Sequence, residues 1–110
     1  MYDIDSKARE LAASLTNSKF YKNYRETYEK IKDDEFLMVR INDYRRRNFA
    51  IHSNGDNVKQ ETEALFSDFR DVFENKDAKN FLDAELALCR VIQKVNATIM
   101  ADIDMDLNFL

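Results

Sequence analysis

Proline is absent from this 110-residue sequence, and glycine occurs once, at Gly55. Average usage would give about eight glycines and five or six prolines in a chain of this length. β-Sandwiches and β-barrels need a turn residue about every 8–12 positions, and phosphate-binding loops need several glycines, so these classes are excluded. Charged residues make up 35% of the chain and apolar residues 45%. This combination predicts an all-α protein of long amphipathic helices, forming a single domain over residues 1–110.

Cysteine and histidine are equally scarce, with Cys89 and His52 as the single representatives. One cysteine cannot form an internal disulfide, which is typical of proteins in the reducing cytoplasm. No Cys/His spacing suits zinc, so we expect no metal or cofactor. Cys89 lies on an apolar helix face and is predicted to be a small core residue. His52 is predicted to lie in the last turn of a helix. The N-terminus lacks the basic and apolar regions of a signal peptide, and no apolar run could span a bilayer. We therefore expect a cytoplasmic protein without membrane association.

The net charge of −4 is unevenly distributed. Residues 17–60 carry 10 basic and 7 acidic residues, or +3, whereas residues 61–110 carry 5 basic and 11 acidic residues, or −6. The densest basic cluster is Arg45–Arg47. A nucleic-acid-binding domain usually has a net basic charge or a clear basic stripe. Direct binding through this cluster and Lys59 is therefore an alternative and not the leading interpretation.

Hydrophobic periodicity and capping signals predict five helices. Asp5 or Ser6 caps the first helix, and Asn57 with Gln60 has the spacing of a capping box for the fourth. Gly55 suits the left-handed residue that ends the third helix. The predicted helices span about 6–15, 18–32, 34–53, 57–73 and 77–101. The short connection predicts an antiparallel hairpin of helices three and four, and the alternating residues 102–110 predict a docked extended tail or a frayed helix end.

Two charged residues interrupt apolar helix faces. Glu85 projects onto the middle of the apolar face of the last helix, and Arg45 projects between Ile41 and Phe49 on the third. A buried carboxylate is costly unless it is paired, so we predict a structural ion pair between Glu85 and Arg45. A general acid at Glu85 is the alternative, but no second catalytic group stands near it in the sequence.

The last helix is apolar over more than half of its circumference, which leaves more apolar surface than one short chain can cover. Patches larger than a few hundred Å² usually mark interfaces. We therefore predict a homo-oligomer, as a dimer in an oligomeric helical bundle. The predicted contact residues, all from the fourth helix, are Phe66, Phe69 and Phe73.

Several segments together resemble the YlbF/YmcA family, also called Com_YlbF, of small helical bacterial proteins. The segment Tyr44-Arg45-Arg46-Arg47-Asn48 is similar to that family's Phe-Arg-x-x-Gln motif, with Tyr for Phe and Asn for Gln. The resemblance extends over nearly the whole chain. Its further elements are Leu11, Ser18, Tyr21 and Tyr24 near the start, Ala84-Glu85 with Leu88, Ile92 and Ile99 in the last helix, and the acidic–apolar ending 104–110.

The resemblance implies an all-helical, oligomeric protein without known enzymatic activity. It also implies control of competence, biofilm formation or sporulation through complexes of related members that affect RNA processing. Some members share iron–sulfur clusters through cysteines in a C-terminal extension, whereas this sequence has Cys89 alone. The sequence thus indicates a non-enzymatic cytoplasmic adaptor. Direct nucleic-acid binding through Arg45–Arg47, or an iron–sulfur carrier within a hetero-complex, is the alternative.

Overall fold

The computed structural model describes residues 2–103, and this part of the chain is all-α, with no β-strand. The all-α prediction is therefore confirmed. The described chain forms six helices: α1 (Tyr2–Thr16), α2 (Lys19–Glu29), α3 (Glu35–Asn54), α4 (Val58–Asp68), α5 (Arg70–Glu74) and α6 (Lys76–Asp102). The expectation for the tail 102–110 lies largely outside the described residues, because the described chain ends one residue after α6.

Short polar side chains begin three of these helices. Ser18 Oγ accepts a hydrogen bond from the backbone N–H of Tyr21 at 3.3 Å, and Asn75 Oδ1 accepts one from Ala78 at 3.0 Å. At the start of α3, Asp34 Oδ1 accepts a hydrogen bond from the backbone N–H of Leu37 at 3.0 Å. Each bond satisfies an amide that has no partner within its own helix. Local sequence therefore defines where these helices start.

The chain reverses between α3 and α4 at Gly55, whose φ of 77° is the left-handed conformation expected there. The predicted capping box at Asn57 is wrong. Asn57 itself has a left-handed φ of 54°, and its side chain makes no capping hydrogen bond. The first helix also begins earlier than predicted, at Tyr2, which places Asp3 and Asp5 in its first turn. Carboxylates there interact favourably with the helix dipole.

The predicted fourth helix is divided at Phe69 into α4 and α5. Phe69 has φ −112° and ψ 27°, and the N–H of Val72 binds the carbonyl of Phe69 at 3.0 Å. The carbonyl of Asp68, which a continuous helix would pair with that N–H, accepts a hydrogen bond from Arg40 Nη2 at 2.8 Å. A side chain from α3 thus satisfies the backbone group that the break leaves free.

α3 and α4 form the antiparallel hairpin that the short connection predicts. Arg47 near the end of α3 pairs with Asp68 at 2.9 Å, whereas Arg40, two turns earlier, reaches further along the chain to Asp71 at 2.7 Å. Ile51 and Leu65 close the hairpin on its inner side, and both are buried. Pairs that run in opposite directions along the two segments establish the antiparallel arrangement.

The hydrophobic core lies where α2 and α5 pack against the first half of α6, and it continues into the α3–α4 hairpin. Phe81 is completely buried, with the rings of Tyr24 and Tyr28 at 5.4 and 5.9 Å. The tyrosine spacing on α2 therefore places aromatic rings in the core. The buried apolar cluster comprises Ile31, Leu37, Ile41, Ile51, Leu65, Phe69, Val72, Ala78 and Phe81.

Two segments extend beyond this core. α1 has its main contacts with α2, and its apolar residues Ile4 and Leu11 are exposed. The second half of α6 likewise exposes Ile92 and Ile99. The radius of gyration is 17.2 Å, whereas a compact chain of this length has one of about 13 Å. Within residues 2–103, part of the apolar surface is therefore exposed to solvent.

Candidate functional site

An open groove lies between the α3–α4 hairpin and the middle of α6, with a volume of about 830 Å³. Its walls come from elements far apart in sequence, because the hairpin diverges from α6 above the core. Apolar and aromatic side chains predominate, and a small set of polar groups lies among them. The lining residues are Tyr44, Arg45, Asn48, Phe49, His52, Thr62, Phe66, Phe73, Leu82, Asp83, Glu85, Leu86, Cys89 and Gln93.

The structure brings together Arg45 and Glu85 in this groove. Arg45 Nε donates to Glu85 Oε1 at 3.1 Å, and Arg45 Nη2 donates to Glu85 Oε2, so the pair is bidentate. The guanidinium also lies 5.1 Å from the ring centre of Phe81. The side chains are 34% and 25% exposed, so the pair is partly screened by water and is less buried than the helical projection suggested. The positive charge of Arg45 and the negative charge of Glu85 therefore balance each other within the groove.

The aromatic wall of the groove is formed by Tyr44, Phe66 and Phe73. Tyr44 packs edge-on against Phe73 at 5.2 Å, and Phe66 packs against Phe73 at 5.1 Å. Burial raises the pKa of the Tyr44 phenol, and the negative charge of Glu85 raises it further. The ring of Tyr44 packs against both Phe69 and Phe73 and so contributes an aromatic face to the groove.

Phe69 is not available as an oligomer contact, contrary to the sequence-based expectation. It is only 2% exposed, because its ring lies between the guanidinium groups of Arg40 and Arg47, at 4.3 and 5.4 Å. Of the other two predicted contact residues, Phe66 is 49% exposed at the groove and Phe73 is half-buried behind it. The exposed aromatic surface of α4 is thus Phe66 alone.

The rim of the groove exposes large apolar side chains to water. Phe49 is 74% exposed and Leu86 is 50% exposed, on opposite sides of the opening. Cys89 is also exposed, so its predicted place in the core is wrong. The cause is that α3 and α4 diverge from α6 at this level and leave its apolar face uncovered. A contiguous apolar opening of this kind is typical of a binding surface.

The basic cluster is neutralised by neighbouring carboxylates. Arg46 pairs with Asp43 on the same helix, and Arg47 pairs with Asp68 on α4. Because Arg45 pairs with Glu85, every member of Arg45–Arg47 has an acidic partner.

His52 lies at the groove edge, with Nδ1 2.8 Å from the carbonyl oxygen of Asn48. Across residues 2–103, no three His, Cys, Asp or Glu side chains converge in a way that could hold a metal ion.

Sequence reasoning missed the role of Arg40. This side chain binds both carboxylate oxygens of Asp71, at 3.1 and 2.7 Å, in addition to the Asp68 carbonyl. The hydrogen bonds from Arg40 lower the pKa of the Asp71 carboxyl. A signal was present, because Arg40 and Arg47 are seven residues apart and so share one face of α3. The sequence analysis concentrated on the adjacent cluster Arg45–Arg47 and did not consider this pair.

The fold and the groove define a class: small all-α proteins that leave an apolar cleft between a helical hairpin and a long C-terminal helix. None of the helices in residues 2–103 is apolar over a length that would cross a membrane. The family described as control of competence regulator ComK, YlbF/YmcA matches residues 4–104. The chain belongs to this family.

The chain is also similar to three curated proteins, each called a UPF0342 protein. The relative from Halothermothrix orenii is 30% identical over 102 residues, which cover 86% of this chain and 84% of the relative. The relative from Caldicellulosiruptor bescii is 27% identical over 108 residues, which cover 94% and 88% of the two chains. A third, from Caldicellulosiruptor saccharolyticus, is 23% identical. No solved structure is significantly similar to the chain.

Proposed function

We propose that this protein is a non-enzymatic regulatory adaptor of the cytoplasm that acts as a homodimer in competence-related control. Its groove would receive an amphipathic helix from another member of the same family. The family match over residues 4–104 supports the regulatory part of this proposal. The groove supports the adaptor part, because a helix presents apolar side chains every third or fourth residue and so fits an elongated apolar cleft.

One observation carries the proposal: the rim of the groove exposes Phe49 and Phe66 while its charges are paired internally. Burying exposed aromatic rings on binding is favourable, and aromatic residues often dominate the energy of an interface. The Arg45–Glu85 pair needs no further partner to balance its charge. A neutral, apolar helix face is therefore a better ligand for the groove than an ionic small molecule.

The alternative of direct nucleic-acid binding is less well supported. Each arginine of Arg45–Arg47 already faces a carboxylate, and the net charge of the chain is −4. The iron–sulfur alternative has Cys89 as its single thiol ligand in this chain. The partner-helix proposal uses more of the observed geometry than either alternative.

The test is binding to a related family member encoded in the same genome, measured by calorimetry with single variants. We expect Phe49→Glu and Phe66→Glu each to weaken binding by roughly tenfold or more, because a charge replaces a buried ring. The matched control is Phe36→Glu, since Phe36 is 75% exposed but lies outside the groove. Equal loss in the control, or no loss in the groove variants, would refute the groove.

The salt dependence of affinity distinguishes docking of a protein helix from binding of nucleic acid. Docking of apolar surfaces changes little between low and high salt, whereas contacts with several phosphates weaken steeply. We therefore expect the affinity for the protein partner to be nearly constant from low to moderate salt. A steep loss of that affinity with salt, or salt-sensitive binding of RNA that Arg46→Met and Arg47→Met abolish, would overturn the proposal.

A further inference from the structure

The α3–α4 hairpin is joined to the rest of the chain at one end. α3 begins at Glu35, directly after the turn at residues 30–34, and α4 ends at Asp68, directly before the break at Phe69. The opposite end, at Gly55, is the tip of the hairpin. The 20 residues of α3 lie between the two ends and correspond to about 30 Å of helix. A small rotation at the base therefore moves the tip by several ångströms.

The base of the hairpin is fixed in the core, whereas its upper part stands apart from α6. Leu37 and Ile41, near the start of α3, are buried in one cluster with Phe69. Further along α3, Phe49 and His52 are exposed at the groove. α6 packs mainly against α2 and α5, and neither α3 nor α4 packs closely along it. The groove thus separates the upper hairpin from α6.

The break at Phe69 has the properties of a hinge. The carbonyl of Asp68 bonds Arg40 instead of the amide of Val72, so the helical ladder is already interrupted there. A change of backbone angles at Phe69 thus disrupts fewer hydrogen bonds than the same change inside a continuous helix. Hinge movements are often taken up by a few residues at the ends of elements. A rotation of about 10° at the base moves Phe49, about 21 Å along α3, by about 4 Å.

One polar contact joins the upper hairpin to α6. Among the ion pairs and side-chain hydrogen bonds within residues 2–103, the Arg45–Glu85 pair alone connects α3 or α4 with α6. Its two parallel hydrogen bonds fix the distance and the orientation of the two groups. Because both side chains are partly exposed, water can hydrate them when the pair separates, which keeps the free-energy cost of opening moderate.

The groove as observed is slightly too small for the helix that it is proposed to receive. A helix with its side chains is about 10–12 Å across. A volume of about 830 Å³ therefore holds about five to seven residues of helix. Recognition of a helix in a groove uses anchor residues from position i to position i+7, which extend over about eight residues. Admitting such a helix requires more space between the hairpin and α6.

We propose that the α3–α4 hairpin is a lid over the groove, with its hinge at Phe69 and with the Arg45–Glu85 pair holding it closed. Separation of the pair lets the upper hairpin move away from α6 and widens the groove. A ligand that binds the open state shifts the population toward that state. The movement takes place within one chain and needs no partner, whereas its use in admitting a helix rests on the proposed function.

The movement is tested by the distance between two spin labels. The labels are attached through Ser53→Cys, near the tip of the hairpin, and Asn96→Cys on α6, in a Cys89→Ser background. Ser53 and Asn96 are exposed and lie outside the groove. Labelled chains are diluted with unlabelled chains, so that only distances within one chain are measured. We expect one narrow distance with the ion pair intact and an added component about 5 Å longer in Glu85→Gln.

The matched control is Asp43→Asn, which also removes the carboxylate of an arginine pair but does so within α3. It should leave the distribution of distances unchanged. Circular dichroism should show equal helix content in all variants. If Glu85→Gln loses helix, Arg45→Lys keeps the charge but replaces the two parallel hydrogen bonds with a single point contact. The Arg45→Lys variant should lengthen the distance in the same direction.

The affinity for a partner distinguishes a lid from an ordinary contact residue. Binding of the related family member is measured by calorimetry in chains that retain Cys89. Glu85→Gln should bind this partner roughly tenfold more tightly than the unchanged chain, because a larger fraction of the variant is open. A residue that only contacts the partner or supports the fold would give weaker or equal binding when it is replaced.

Three results would overturn the lid. Identical distance distributions for Glu85→Gln and the unchanged chain would show that the pair does not hold the hairpin. An equal change in Asp43→Asn would show that the contact with α6 is not the cause. A partner that binds the unchanged chain but binds Glu85→Gln no more tightly would show that opening does not admit the helix. If the distances change as expected but no variant binds the partner, the lid is supported and the proposed function fails.

Discussion

Removing either member of the Arg45–Glu85 ion pair should destabilise the protein, and removing both should cost little more than removing one. The substitutions are Glu85→Gln, which keeps the shape of the side chain, and Arg45→Met, which keeps much of its length. Each single change leaves the other residue with a charge that lacks its bidentate partner. The double change removes both charges, which is why the effects should not add.

The magnitude follows from how far the pair is exposed. Breaking a fully buried pair costs about 3–5 kcal/mol, and an exposed pair contributes about 0.2–1 kcal/mol. With side chains 34% and 25% exposed, this pair lies between the two limits. We expect about 1.5 kcal/mol for Glu85→Gln. Arg45→Met should cost about 2 kcal/mol because it also loses the cation over the Phe81 ring. The interaction energy of the pair should be about 1–2 kcal/mol.

The assay is urea unfolding followed by far-UV circular dichroism. Protein concentration must be the same for all variants, because the stability of an oligomer depends on it. The control is the same cycle on Arg46 and Asp43, an ion pair within one helix whose side chains are 74% and 41% exposed. That cycle should give about 0.3 kcal/mol. An interaction energy below about 0.5 kcal/mol for Arg45 and Glu85 would refute the reasoning.

Three further substitutions test local features of the fold. Gly55→Ala should cost about 1–2 kcal/mol of unfolding free energy because φ is 77° there, and a neutral effect in urea unfolding would contradict the strain. Asn75→Ala should cost about 1 kcal/mol through loss of the α6 cap, whereas the exposed neighbour substitution Lys76→Ala should change the same measurement little. Asp71→Asn tests the pH dependence. The folded pKa of Asp71 is lowered by Arg40, so its contribution is present above the ordinary carboxyl pKa and disappears as pH falls through the folded value. The difference in unfolding midpoint between this variant and the unchanged chain should therefore be largest near neutral pH and should disappear in acid. A difference that does not depend on pH would show that the carboxylate charge is not its cause.

Features that depend on adjacent residues could be predicted from the sequence. Ser18, Gly55 and Asn75 mark helix boundaries because their side chains, or the lack of one, act on amides and carbonyls within a few residues. The capping box at Asn57 failed for an equally local reason, since a residue in the left-handed conformation cannot present its side chain to the next turn.

Features that depend on contacts distant in sequence could not be predicted. A helical projection shows which face of a helix is apolar but does not show which face a neighbour covers. Phe69 and Cys89 were therefore assigned the wrong environments: the first is covered by two arginines of α3, and the second is left open where the hairpin diverges. The sequence places Arg45 and Glu85 on apolar helix faces, but the groove that they line arises only from the tertiary arrangement.

The division between α4 and α5 has a consequence for the order of folding. The guanidinium that holds the break belongs to Arg40, 31 residues before its partner Asp71. A peptide of residues 58–74 lacks that contact, so we expect it to populate a single straight helix. The bend at Phe69 then forms only when α3 docks, which we expect to follow formation of the separate helices because Arg40 and Asp71 are distant in sequence. Replacing Arg40 should accordingly speed unfolding more than it slows folding.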